Sequence, residues 1–161
     1  MNNPTNTERA SDRELVVTRT VNGPARLVYE AWTKPELFRR WWVPASFGVK
    51  LLSCELDVRV GGKYRLVFAH GDAGTMEFFG RYLEVLPPSR LAWTNEEGEG
   101  EHVITTVTFE ERDGRTRLVV HDLYPSKAAL DEAMASGSTG GLPLQLDELE
   151  TLLATLGQPT P

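Results

Sequence analysis

Leu142, Leu146, Leu149, Leu153 and Leu156 recur at alternating four- and three-residue steps, which places them along one face of a helix. Upstream, from about Val49 to Leu123, the pattern changes to alternation and short apolar runs punctuated by turn residues, as expected of strands. An amphipathic helix that follows a long antiparallel sheet buries its stripe most economically in the sheet's concave face. The sandwich so formed either packs solid or encloses a cavity.

Six strands are expected in this stretch, near residues 49–58, 63–70, 75–86, 90–95, 102–111 and 116–123. Gly61-Gly62 and the loop 71–74 permit tight reversals, and Pro87-Pro88 cannot continue a central ladder. Asp113-Gly114 predicts a two-residue hairpin, because a type I′ turn needs positive φ at both central positions. Consecutive short reversals imply antiparallel neighbours. Ahead of them, residues 14–21 predict a first strand, and residues 1–13 a disordered polar lead-in with nothing to bury. Pro24 marks a short helix that buries Leu27, Val28, Ala31 and Trp32. Thr33-Lys34-Pro35-Glu36 reads as a capping box opening a second helix, with Leu37, Phe38, Trp41 and Trp42 apolar and Pro44 ending it. A short helix over 126–135 and a flexible joint over 136–141 lead into the leucine helix, which Gly157 and Pro159 end.

The expected fold class is α+β: a curved antiparallel sheet of about seven strands with helices on one side, in a single domain over 14–157 and a tail over 158–161. A chain of 161 residues suffices for a substantial core without staples. The net charge of −6 argues against nucleic acid or an anionic membrane surface as the main partner; Arg39, Arg40 and Lys50 come nearest to a basic patch. Cys54 is the single cysteine, so no internal disulfide forms, and it reads as a small buried hydrophobe. The chain has no run of ~18 apolar residues for a membrane span. Its polar N-terminus has no secretory apolar core, so a cytoplasmic location is the expectation.

Strand parity supplies candidate pocket residues. Tyr64, Leu66 and Phe68 share a face, as do Leu91 and Trp93, and Val103, Val107 and Phe109. Trp41, Trp42 and Leu149 complete the apolar candidates. Each taken alone reads as core; the pocket rests on the group. Around Phe78-Phe79 both faces are apolar, and parity leaves the inward side open. Gln145 lies at the edge of the leucine face, where its amide either meets a ligand or reaches water. His121 and Asp122 end a strand at the expected cavity rim. The three histidines fit no metal spacing, and neither a metal nor a cofactor is expected. Glu96, Glu97, Glu99 and Glu101 read as a solvated hairpin loop. Glu77 and Glu84 fall on opposite faces of one strand by parity. Residues 136–141 resemble a phosphate loop only superficially, lacking its Lys-Ser/Thr ending, and read as a hinge.

The Trp41-Trp42 pair, the run DVRVGGKYRL from Asp57, FGRYLEVLPPSRLAWT from Phe79, VTFEERDGRTRLVV from Val107 and the closing LDELETLLATL occur in the order found in one family. Over residues 14–156 the chain resembles the activator of heat-shock protein 90 ATPase homologue-like proteins. These belong to the START-like, Bet v I-like (SRPBCC) superfamily. The resemblance implies a helix-grip fold, in which the curved sheet clasps the C-terminal helix around a hydrophobic cavity. Many members carry a Trp just after the glycine that begins the last helix; here Leu142 and Pro143 follow Gly141, which implies a wider pocket mouth.

Three functions compete. The first is binding of a small hydrophobic or amphipathic molecule. Burying ~300 Å² of apolar ligand surface is worth roughly 7 kcal/mol, much of it offset by association costs, which leaves micromolar affinity with no catalytic group. The second is an enzyme (cyclase, dehydratase or hydrolase) using His121, Asp122, Tyr64 and Gln145 as acid–base groups. No nucleophile–base–orienter set supports it, and a non-enzyme is the preferred reading. The third is a co-chaperone-like interaction module, ranked last because such co-chaperones carry an extra N-terminal domain. The resemblance also implies a homodimer through the sheet or its edges.

Overall fold

The alternation between residues 14 and 22 is realised as a strand that buries Leu15, Val17 and Val21 and leaves the residues between them half-exposed, with one exception at Arg19. The structure is a computed structural model that describes residues 4–44, 48–69, 71, 74–96, 102–137 and 140–156. In chain order the elements are strands β1 (Thr5–Arg9) and β2 (Glu14–Asn22), helices α1 (Ala25–Thr33) and α2 (Pro35–Phe38), strands β3 (Lys50–Leu56), β4 (Lys63–Ala69), β5 (Thr75–Leu86), β6 (Arg90–Asn95), β7 (Val103–Arg112) and β8 (Arg115–Leu123), and helices α3 (Lys127–Ala135) and α4 (Leu142–Leu156). The strands form one antiparallel sheet in the order β1-β2-β8-β7-β6-β5-β4-β3. The predicted hairpin joins β7 to β8 with Asp113 and Gly114 at φ of 55° and 78°.

The sheet has eight strands rather than about seven, because part of the segment expected to be disordered forms β1. β1 has no apolar face to bury. It survives as an edge strand because the ladder to β2 satisfies its backbone, and because Arg9 ties it to Asp131 of α3 at 2.7 Å. The capping box does not form. Thr33 is the last residue of α1, and its hydroxyl donates to the Tyr29 carbonyl 2.9 Å away; α2 is a single turn capped by Lys34 without a side-chain bond. Expectations concerning His70, Glu97, Glu99, Glu101 and residues 157–161 lie outside the described residues.

Two local features of β5 shape the sheet around the site. A bulge between Tyr82 and Glu84 inserts an extra residue into β5, so Glu84 faces the same outer side as Glu77 rather than the opposite one. Each is held by an arginine, Glu77 by Arg65 at 2.6 Å and Glu84 by Arg90 at 2.8 Å. At Gly80 the neighbouring backbone crosses so closely that a Cβ would collide with the Thr94 carbonyl and stand 2.8 Å from the Tyr64 ring. Glycine therefore lets β6 fold over β5 and tightens the sheet's curvature there.

α4 lies on the concave face against β2 and α1. Leu146, Leu149, Leu152 and Leu153 are buried, and Leu142 and Leu156 pack at the margins of the same cluster. Each fully buried leucine contributes about 1.5–3 kcal/mol. The inward position held by Arg19 is 2% exposed. Its guanidinium donates to Glu150 at 3.1 Å and Asp147 at 2.7 Å on α4, and to the Thr5 hydroxyl at 3.0 Å on β1. One cation thus bolts the last helix and the first strand to β2.

Replacing Arg19 with Met strips the buried Glu150 of its cation, so Arg19→Met is expected to lose about 3–5 kcal/mol of unfolding free energy in urea denaturation. Arg19→Met/Glu150→Leu should recover much of that loss. A single variant within about 0.5 kcal/mol of the parent, the range of an ordinary surface change, contradicts the clamp.

Candidate functional site

The sandwich both packs solid and leaves a void. Beneath the second half of α4 the leucines fill the interior. Beneath its first turn a cavity of about 500 Å³ opens onto the concave face of the sheet from β2 across to β3. Its roof is Trp32 of α1, Phe38 and Trp42 around α2, and Gly141, Leu142 and Gln145 at the start of α4. The aromatic roof is stiff: Trp32 meets Trp41 and Trp42 with ring centroids 4.8 and 5.9 Å apart, Phe38 stacks on Trp42 at 4.7 Å, and Trp32 also reaches Trp93 of the sheet at 5.8 Å. Gln145 fixes the roof to the helix by donating its amide to the Trp42 carbonyl at 2.6 Å.

The floor follows from strand register. Tyr82, Trp93, Thr105, Asp122 and Leu15 are cross-strand neighbours on β5, β6, β7, β8 and β2, so they form one inward row across the sheet, and all five line the cavity. A chain of hydrogen bonds runs through this apolar surface. The Tyr64 hydroxyl donates to the Thr94 carbonyl at 2.8 Å, with Asn95 Oδ1 at 3.3 Å. Asn95 Nδ2 donates to the Val103 carbonyl at 3.1 Å and to Thr105 Oγ1 at 3.0 Å. Thr105 donates to Asp122 Oδ1 at 2.6 Å. Burial pushes the Asp122 carboxyl above its ordinary range, against the Thr105 bond and the nearby His121. Burial and that same carboxyl push the Tyr124 phenol up to about 12. Cys54 packs against the core with its thiol pushed up to about 11, which keeps it protonated and inert.

The residues expected from sequence divide clearly. Trp42, Tyr64, Leu66, Trp93, Asp122 and Gln145 line the cavity. Trp41, Phe68 and Leu149 do not: all three are buried in the solid core, where the Trp41 indole donates to the Ala31 carbonyl at 2.9 Å and Phe68 meets Phe78 edge-on at 5.3 Å. His121 is on the wrong face. Strand alternation that sends Asp122 inward sends its neighbour outward, where His121 pairs with Glu14 at 2.6 Å. That bond, with one from Ser11, holds the Glu14 carboxyl below its usual range. Phe78 points into the cavity, which resolves the open parity of β5. Trp32, Asn95, Thr105 and Tyr124 were missed; Thr105 sits midway between Val103 and Val107 and shares their parity, which could have identified it. Among the described residues no group of three or more His, Cys, Asp or Glu side chains is arranged to hold a metal.

A carboxyl held above its unfolded-state value contributes most below the unfolded value and loses that contribution as pH rises through the folded one. Asp122→Asn is therefore expected to melt higher than the parent at pH 7–8, with the gap closing as pH falls toward 4, in thermal unfolding followed across pH. A variant less stable than the parent at pH 7–8 contradicts the assignment.

The comparisons with known proteins agree with this architecture. A protein of Rhodobacter sphaeroides superposes with a TM-score of 0.85 at 22% identity, over 95% of this chain and 99% of that one. A protein of Nitrosomonas europaea gives 0.81 at 23% identity, over 91% and 97%. An AHSA1-like protein of Aeromonas hydrophila gives 0.69 at 21% identity, over 91% and 98%. At these identities they establish the helix-grip fold. No curated protein matches the sequence. The family model described as activator of Hsp90 ATPase homolog 1-like protein matches residues 22–154, and with the resemblance in sequence and fold this places the chain in the AHSA1-like family of the SRPBCC superfamily.

Proposed function

We propose that this protein binds a small, largely apolar molecule in the cavity beneath the first turn of α4. The observation that carries the reading is the cavity itself: about 500 Å³ walled by aromatic and aliphatic side chains with one short polar chain along its floor. A space of that size suits a small-molecule guest, and the few polar groups suit orientation rather than chemistry. We read the protein as a binder rather than an enzyme. His121, the natural proton carrier of the alternative, faces the other side of the sheet.

Native mass spectrometry of protein purified from its own host is expected to show a non-covalent mass excess that collisional activation removes. Leu142→Trp/Val103→Phe, which crowds two half-buried lining positions, should lose that excess while keeping a cooperative unfolding transition. Protein of bare mass that also takes up no apolar probe overturns the reading.

The family description favours a second reading more directly than it favours ligand binding: a module that contacts an Hsp90-type chaperone and stimulates its ATPase. Exposed Phe79 and Leu83 on the outer side of β5 give such a contact some apolar surface. If this reading holds, adding the protein to the chaperone raises its ATP turnover and Phe79→Ser/Leu83→Ser abolishes the rise; an unchanged rate with wild-type protein removes it.

A further inference from the structure

The charge pattern of the cavity narrows the class of guest. Among the described lining residues no Lys, Arg or His is present, and Asp122 is the one carboxyl. The polar chain ends at that carboxyl. Asn95 commits both amide hydrogens to Val103 and Thr105, and Thr105 commits its hydroxyl hydrogen to Asp122 Oδ1. Among the described residues, the Thr105 bond is the hydrogen bond that the Asp122 side chain receives, so Oδ2 is left as an acceptor in a lining whose other polar groups are uncharged. An anionic guest would meet this carboxyl with no cation to offset it. A guest with a donor, above all a charged one, supplies the missing partner.

Aromatic faces add to the same preference. Trp93 and Asp122 belong to one inward row with Thr105 between them, so their backbones stand two strand spacings apart, about 10 Å. A molecule that reaches from one to the other crosses the indole-rich end of the cavity, where π-faces attract organic cations. The half-buried Asp122 carboxyl, costly when ionised alone, is relieved by a cation at the same place.

We propose that the cavity selects an organic amine, a molecule with an apolar body among Trp32, Trp42 and Trp93 and a protonated nitrogen seated on Asp122. This rests on the binding reading above and adds the chemistry of the guest.

Octylamine, octanol and octanoate share a chain and differ in their polar end, and calorimetric titration below their aggregation limits ranks them. Octylamine is expected to bind about ten-fold tighter than octanol, with octanoate weakest. In Asp122→Asn the ratio of octylamine to octanol affinity should fall to about one, whereas His121→Gln, on the outer face, should keep the parent's ratio. Octanol bound as tightly as octylamine by the parent overturns the amine assignment while leaving the cavity a binding site. A preference for octylamine that survives in Asp122→Asn also overturns it. Failure of all three probes to bind the parent removes the binding reading itself. The parent's ranking decides the question even if Asp122→Asn does not fold.

Discussion

The docking of α4 across β2 is the constraint on which the rest depends. The helix buries its leucine stripe, and a guanidinium within that contact meets two carboxylates of the same helix. The leucines supply most of the free energy, since burial of apolar area is non-directional and large. Arg19 supplies position: an ion pair inside a dry contact is satisfied in one geometry only, so sliding the helix by a turn would leave charge buried and unpaired. The same cation reaches Thr5, which couples the edge strand to that helix.

Position matters because the helix is fixed at one end and spans a void at the other. Leu149 and Leu153 sit where the interior is closed, whereas Gly141, Leu142 and Gln145 sit over the cavity. The roof does not collapse into it because the indoles of Trp32, Trp41 and Trp42 and the ring of Phe38 brace one another, and because Gln145 holds the Trp42 carbonyl. Below, Gly80 allows β6 to close over β5 and brings Tyr64 to the Thr94 carbonyl. A polar chain inside such a space is tolerated because nearly every member is satisfied by the next. Its terminal carboxyl is the exception, with one hydrogen bond from Thr105, and desolvation raises its pKa.

Much of this was legible from residue order. The leucine stripe gave the helix, Asp113-Gly114 gave its hairpin, and the alternation around Tyr64, Leu66 and Trp93 gave the inward face. What escaped depended on contacts distant in sequence or on single-residue irregularities. Parity cannot foresee the bulge that returns Glu84 to the outer face. Low hydrophobicity at residues 5–9 argued for disorder, but an edge strand needs a ladder rather than a core. Trp41 and Leu149 look like lining residues and prove to be core, because which part of an apolar surface stays unfilled depends on how the opposite layer packs. Arg19 carried a usable clue: an arginine in the inward register of Leu15, Val17 and Val21 requires an acidic partner, and Asp147 and Glu150 stand one helical turn apart amid the leucines.

The interior holds an open, largely apolar space under the first turn of α4 and is filled under its second half. Xenon, which occupies dry apolar cavities, tests this directly in pressurised crystals. Anomalous density is expected beside Leu66, Leu91 and Trp93 and none among Leu146, Leu149 and Leu153. Density confined to the leucine cluster, or an interior with side chains filling the space beside Trp93, would contradict it.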